Sequence, residues 1–263
     1  MKTGREILIY LSLKFNGDYF AIRDAIKNRD YDLEGIEEVN VRANTLTMLD
    51  EDYPREFLKL PYPPIVLFYY GDISLIKDIS KNIAVIGTRK PTQYGSDVTE
   101  NIVKEISKDM VVVSGLARGI DSIAQKTAIE NNGKTIAILG SGIEYCYPYE
   151  NKELYDEIKR NHLLISEFPN RTEPTPHNLL FRNRLIAMLS KGVLITEAYQ
   201  KSGTSVTANW ALSYLKDVMC VPYQYGSYSL CNFIINEGAY LVDSVDDVYR
   251  VMGIERYKTI FEN

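Results

Sequence analysis

Between Ile83 and Asp121 the chain twice breaks an apolar run with a small-residue turn that carries one arginine, and this repetition restricts the fold more than any other feature. The run Ile83-Ala84-Val85-Ile86 ends at Gly87-Thr88-Arg89. A polar turn with Pro91, Tyr94 and Gly95 then leads into a helical pattern reaching Lys108. The run Val111-Val112-Val113 ends at Ser114-Gly115-Leu116-Ala117-Arg118-Gly119-Ile120-Asp121. A strand that stops in glycine and hands over to a helix is the building unit of a parallel sheet. Such a turn can also hold a phosphate: glycine lets the backbone approach, helix N-terminal amides point outward, and a cation stands at the rim. Ordinary strand-to-helix turns use Gly and Ser as well. Two turns with matched arginines favour the anion site.

The alternation continues. Strands are expected at Thr135 to Leu139, Leu163 to Ile165, Val193 to Thr196 and Val218 to Val221. Between them, Ile120, Ile123, Ala124, Thr127 and Ala128 fall on one helical face, as do Ala208, Ala211, Leu212 and Leu215. This pattern predicts an α/β fold: a doubly wound, mostly parallel sheet covered on both faces, with ligands outside the carboxyl ends of its strands. Residues 1–45 read as a short helical N-terminal lobe, with helices from Ile7 to Phe15 and Tyr19 to Lys27. Proline- and acid-rich stretches, Asp50 to Pro54 and Pro61 to Pro64, mark a boundary or linker, and a strand from Ile65 to Tyr70 leads into a main domain assigned to residues 46–263. Ser244-Val245-Asp246-Asp247 caps a last short helix.

Composition excludes several classes. No apolar run near the start is long enough to span a bilayer, and none is followed by a small-residue cleavage site. Three separated cysteines and two histidines argue against a disulfide framework or a structural zinc, and fit a cytoplasmic setting. The net charge of −5 means that any polyanion must be held by a local basic patch.

Other turns repeat the chemistry. Gly140-Ser141-Gly142 follows one strand and leads to Tyr147-Pro148-Tyr149-Glu150-Asn151-Lys152. A dinucleotide fingerprint would need a third glycine where Tyr145 stands, so no nicotinamide, flavin or other cofactor is expected. Arg182-Asn183-Arg184 opens a later helix; its guanidinium groups suit bidentate phosphate contacts, or else an internal ion pair with Glu167 or Glu197. Ser202-Gly203-Thr204 starts another helix and serves equally as N-cap or anion cradle. Tyr94, Tyr145, Tyr147, Tyr149 and Phe168 lie near these loops as candidate stacking faces for bases. His162 and His177 have no paired nucleophile, and no Walker sequence or metal-ligand spacing is evident, so no enzyme is expected.

Taken in order, these motifs resemble the DprA/Smf DNA-processing family. Ser114-Gly115-Leu116-Ala117-Arg118-Gly119-Ile120-Asp121 is similar to its signature without a change, and Gly87-Thr88-Arg89 resembles its Gly-Ser-Arg turn. Tyr147-Pro148, Asn151-Lys152, Ser166-Glu167, Arg182 to Ala187, Ser202 to Ala208 and Asn232 to Ala239 continue the likeness over roughly residues 45 to 245. The resemblance implies an extended Rossmann-like fold that binds single-stranded DNA, protects incoming strands and helps load RecA recombinase in transformation or recombination. It implies a homodimer joined through the C-terminal part of the domain, with Arg89 and Lys152 on DNA phosphates and Arg118, Arg182 and Arg184 nearby. Phe233, Ile234, Ile235 and Leu241 form an apolar cluster that suits either this dimer face or the core. Departures include Gln125 where the family has His, and no winged helix is expected after residue 250.

Two rival readings use the same kind of fold. A phosphoribohydrolase-like enzyme would need a glutamate where Thr207 stands, and a hydroxyl cannot supply that charge at an oxocarbenium-like centre. A small-nucleotide sensor would use the phosphate cradle without DNA.

Overall fold

The computed structural model describes residues 3–32 and 41–256, and these form a nine-stranded sheet. The strands are β1 (Asn44–Thr47), β2 (Val66–Gly71), β3 (Asn82–Ile86), β4 (Val111–Ser114), β5 (Lys134–Leu139), β6 (Leu163–Ser166), β7 (Gly192–Ile195), β8 (Asp217–Cys220) and β9 (Tyr240–Leu241). Their order is β1-β2-β6-β5-β4-β3-β7-β8-β9. From β6 to β9 every neighbouring pair is parallel, while β2 runs antiparallel to both β1 and β6. The sheet is therefore mostly parallel and doubly wound, as the alternation predicts. β1 and β9 were not legible in the sequence. β1 is short and polar but for Leu46, and β9 is a two-residue exposed edge.

The helices that bear on the site are α1 (Gly4–Lys14), α2 (Tyr19–Asn28), α3 (Gln93–Ile106), α4 (Ile120–Glu130), α5 (Lys152–Asn161), α6 (Pro176–Met188), α7 (Gly203–Ser213), α8 (Leu230–Asn236) and α9 (Val245–Met252). Alternate strand residues feed opposite layers, because successive side chains leave a strand on opposite faces. Ile83 and Val85 pack with Ile102 and Val103 of α3, Ala124 of α4 and Val248 of α9. Ala84 and Ile86 pack with Leu185 and Ile186 of α6 and with Ala208 of α7.

The N-terminal helices α1 and α2 pack on the sheet. Leu8, Leu11 and Ile22 share one core cluster with Val66, Phe68 and Leu139 of the sheet. The stretch assigned to a linker is also packed: Phe57 is buried in the main core and Tyr53 Oη donates to Pro64 O at 2.5 Å. On α7 the buried face is Thr204, Thr207, Ala208 and Ala211, whereas Leu212, and Leu215 beyond the helix end, are exposed. No helix among the described residues is long and apolar enough to cross a membrane.

Candidate nucleic-acid interface

The strand order reverses at β3, whose neighbours β4 and β7 lead to opposite halves of the sheet. Connections diverge at such a switch point and leave a crevice at the strands' carboxyl ends. A cleft lies there, lined by Arg89, Gly115, Ala117, Arg118, Tyr147, Pro148, Leu179 and Arg182.

Arg89 comes from the turn after β3. Thr88 N donates to Glu197 O at 2.7 Å, and Thr88 O accepts from Ile120 N at 3.1 Å. The turn is thus pinned between the end of β7 and the start of α4, while Arg89 stands in solvent. Gly119 makes the close approach possible. Its φ is +76°, and an added Cβ would lie 2.8 Å from Arg89 C and still nearer Thr88 O.

The turn after β4 is braced from below. Asp121 Oδ2 accepts from Gly115 N at 3.1 Å and Ala117 N at 3.4 Å. Asn151 Nδ2 donates to Leu116 O at 3.0 Å and Ala117 O at 3.2 Å. Burial raises the Asp121 pKa, against the opposing pull of Arg182 and of these N–H groups. Arg118 projects outward and pairs with Glu150, both side chains being well exposed. Such pairs contribute little, so a phosphate can replace the carboxylate at small cost.

Arg182 forms the floor. It lies across Gly115, where an added Cβ would be 2.6 Å from Arg182 Cζ. Its Nη1 donates to Gly115 O at 2.8 Å and to Ile138 O. Burial pulls its pKa down to about 10, with Asp121 opposing and Arg89 adding to the fall. The group stays cationic at neutral pH, and its buried Nε has no partner.

The remaining candidate residues divide by place. The start of α7 stands beside the first turn: Thr204 Oγ1 donates to Gly87 O at 3.0 Å, and Asn183 Nδ2 donates to Gly203 O at 3.1 Å. Ser202 Oγ is enclosed without a partner. Lys152 opens α5, close in sequence to Tyr147 and Asn151, and pairs with Asp156 one turn on. Ser114 is internal, its Oγ donating to Val85 O at 2.7 Å.

The other candidates have different surroundings. The α3 N-terminus is occupied by a protein carboxylate: Glu197 Oε2 accepts from Thr92 N at 3.0 Å and Thr92 Oγ1 at 2.9 Å, lying against Gly95. Tyr94 Oη donates to Pro222 O at 3.1 Å. Gly140, Ser141 and Gly142 are buried against Leu179 and the Pro169–Thr172 loop, so packing accounts for both glycines and no cradle is exposed. Arg184 is enclosed in an ion pair with Glu167, the internal alternative that the sequence allowed. Phe168 is buried, whereas Tyr149 is 76% exposed and Tyr147 lines the cleft. His177 belongs to the first turn of α6, which opens at Pro176 rather than at Arg182. At the C-terminal edge Ile234 is core, Ile235 half-buried, and Phe233 and Leu241 are 51% and 46% exposed.

Residues 44–253 match the family model described as DNA recombination-mediator protein A. The DNA processing protein DprA of Streptococcus pneumoniae is 35% identical over 232 residues, covering 88% of this chain and 78% of that protein. The DprA of Bacillus subtilis is 37% identical over 213 residues, covering 78% and 70%. The X-ray structure of Streptococcus pneumoniae DprA superposes with a TM-score of 0.80 at 31% identity, over 93% of this chain and 92% of that one. The Helicobacter pylori DprA structure, described for its single-stranded DNA binding mode, gives 0.73 at 32% identity over 81% and 96%.

Proposed function

The chain belongs to the DNA recombination-mediator protein A family, and from that premise we propose that it binds single-stranded DNA without cleaving it. One observation carries the reading: Arg89, Arg118 and Arg182 converge on one cleft of a chain whose net charge is −5. A cationic groove beside an aromatic ring holds a single strand by its phosphates and stacks its bases. Tyr147 is the ring in the cleft.

Holding rather than cutting is supported by the carboxylates. Asp121 and Glu197 are buried and already engaged, Asp121 Oδ2 by Gly115 N and Ala117 N and Glu197 by Thr92 N, Thr92 Oγ1 and Tyr199 Oη, and Thr207 is buried within α7 where the rival hydrolase needs a glutamate. Protection of incoming strands and loading of a RecA recombinase during transformation complete the proposal, in a cytoplasmic setting. The exposed Phe233 and Leu241 serve as part of a homodimer face.

The test is a titration with oligonucleotides of increasing length, repeated with duplex competitor. Affinity that rises past a few nucleotides and resists duplex supports the reading. A plateau at a mononucleotide overturns it in favour of a nucleotide sensor.

A further inference from the structure

A second cleft, of about 230 Å³, lies against a different face of the same helix that floors the arginine cleft. Leu179 and Arg182 of α6 line the first cleft, and His177, Asn178 and Phe181 line the second. At roughly 100° per residue, Leu179 and Arg182 centre on one face of α6 and His177, Asn178 and Phe181 on the adjoining face. The opposite wall comes from the N-terminal helices, through Phe15, Tyr19 and Phe20, with Phe168 alongside.

The lining is chemically selective. Aromatic rings surround it: His177 and Phe181 are near-parallel at 5.6 Å between centroids, and Phe20 stands 5.1 Å from Tyr62 behind it. No lysine or arginine lines it, and Asp18 does, so a phosphate is disfavoured inside. Asp18 Oδ1 caps α2, accepting from Phe20 N at 2.9 Å and Ala21 N at 3.0 Å, which leaves its second oxygen as an acceptor. Asn16 and Asn178 also line the cleft, with Asn178 Oδ1 3.5 Å from His177 Nδ1. Planar faces with a carboxylate and two amides match the edge of a base that carries an exocyclic amine.

We propose that this cleft receives one unpaired nucleobase with an exocyclic amine, from the strand whose phosphates lie in the Arg89–Arg118–Arg182 cleft. The inference rests on the single-strand reading and adds a base subsite to it. The backbone would pass over the first turns of α6, leaving its charge outside while the base turns in.

The test uses the full chain, an oligodeoxyadenylate, an abasic strand of equal length, and free deoxyadenosine. Phe20 is 42% exposed and His177 is exposed, so Phe20→Ala and His177→Ala leave the core intact, which thermal melting verifies. Each is expected to weaken oligodeoxyadenylate about fivefold or more, the worth of one lost stack, while the abasic strand and the salt slope stay as in the wild type. Asp18→Asn keeps the helix cap and is expected to reduce preference for oligodeoxyadenylate over oligothymidylate. Unchanged oligodeoxyadenylate affinity in both alanine variants overturns the base subsite and leaves the phosphate cleft standing. Loss of deoxyadenosine binding without loss of strand affinity also overturns it, because the occupant is then a free nucleoside. Failure of the wild type to bind any strand overturns the single-strand reading itself.

Discussion

The guanidinium of Arg184 lies bidentate on the carboxylate of Glu167, with Nη1 to Oε1 at 2.7 Å and Nη2 to Oε2 at 2.6 Å. Both side chains are out of solvent, at 0% and 3% exposure. The remaining N–H groups reach Tyr62 O and Phe181 O, and the guanidinium plane covers the Phe181 ring at 3.6 Å. The pair ties the end of β6 to α6, the helix that holds Arg182 in place. Arg184 thus supports the cleft without facing it.

Removing one partner leaves a buried charge uncompensated. Arg184→Ala is expected to lower unfolding stability by about 3–5 kcal/mol in urea denaturation. A variant as stable as the wild type would show that the pair is not structural.

Arg89 behaves differently because it is exposed and no carboxylate among the described residues holds it. Arg89→Ala is expected to leave the melting temperature unchanged and to weaken single-strand binding. The log–log salt slope should become shallower by about 0.7 for each phosphate that is no longer neutralised. An unaltered slope would take Arg89 out of the phosphate path.

Gly119 holds the two arginine turns together at a φ of +76°, where a side chain meets Thr88 O. Gly119→Ala is expected to cost about 1–3 kcal/mol in stability and to weaken strand binding, since both turns must part. Full affinity in the folded variant would show that the spacing of the turns is immaterial.

Asp247, in the first turn of α9, closes a capping box with the N-cap Ser244, accepting from Ser244 N at 2.9 Å and Asp243 N at 3.1 Å, and it pairs with Arg250. The arginine hydrogen bond is the largest of the causes that lower its pKa to about 2. The folded value lies below the unfolded one, so its contribution is present above about pH 4 and fades as pH falls towards about 2. Asp247→Ala is expected to cost about 1 kcal/mol at neutral pH. That difference should shrink in acid, and equal losses at pH 7 and in strong acid would contradict a charge-based cap.

Phe233 of α8 and Leu241 of β9 are exposed, and β9 ends the sheet beside β8. Phe233→Glu and Leu241→Glu are expected to convert a dimer to monomer in sedimentation while retaining the fold. A dimer that persists in well-folded protein removes this face from the interface. Ile234 is unsuited to the test because its side chain belongs to the core.

The sequence by itself determined the doubly wound sheet and the two arginine turns, since strand length, glycine position and helical period are local properties of the chain. It could not separate Arg182 from Arg184. Two positions apart on a helix they point to different faces, and which face meets the cleft depends on how α6 docks on the sheet. That docking is set by partners distant in sequence: Glu167 and Tyr62 enclose Arg184, while Gly115 and Ile138 receive Arg182. The same holds for the glycines. Gly119 faces a neighbouring turn and Gly142 faces packed loop, a difference invisible in composition because it is decided by what the fold brings within van der Waals reach.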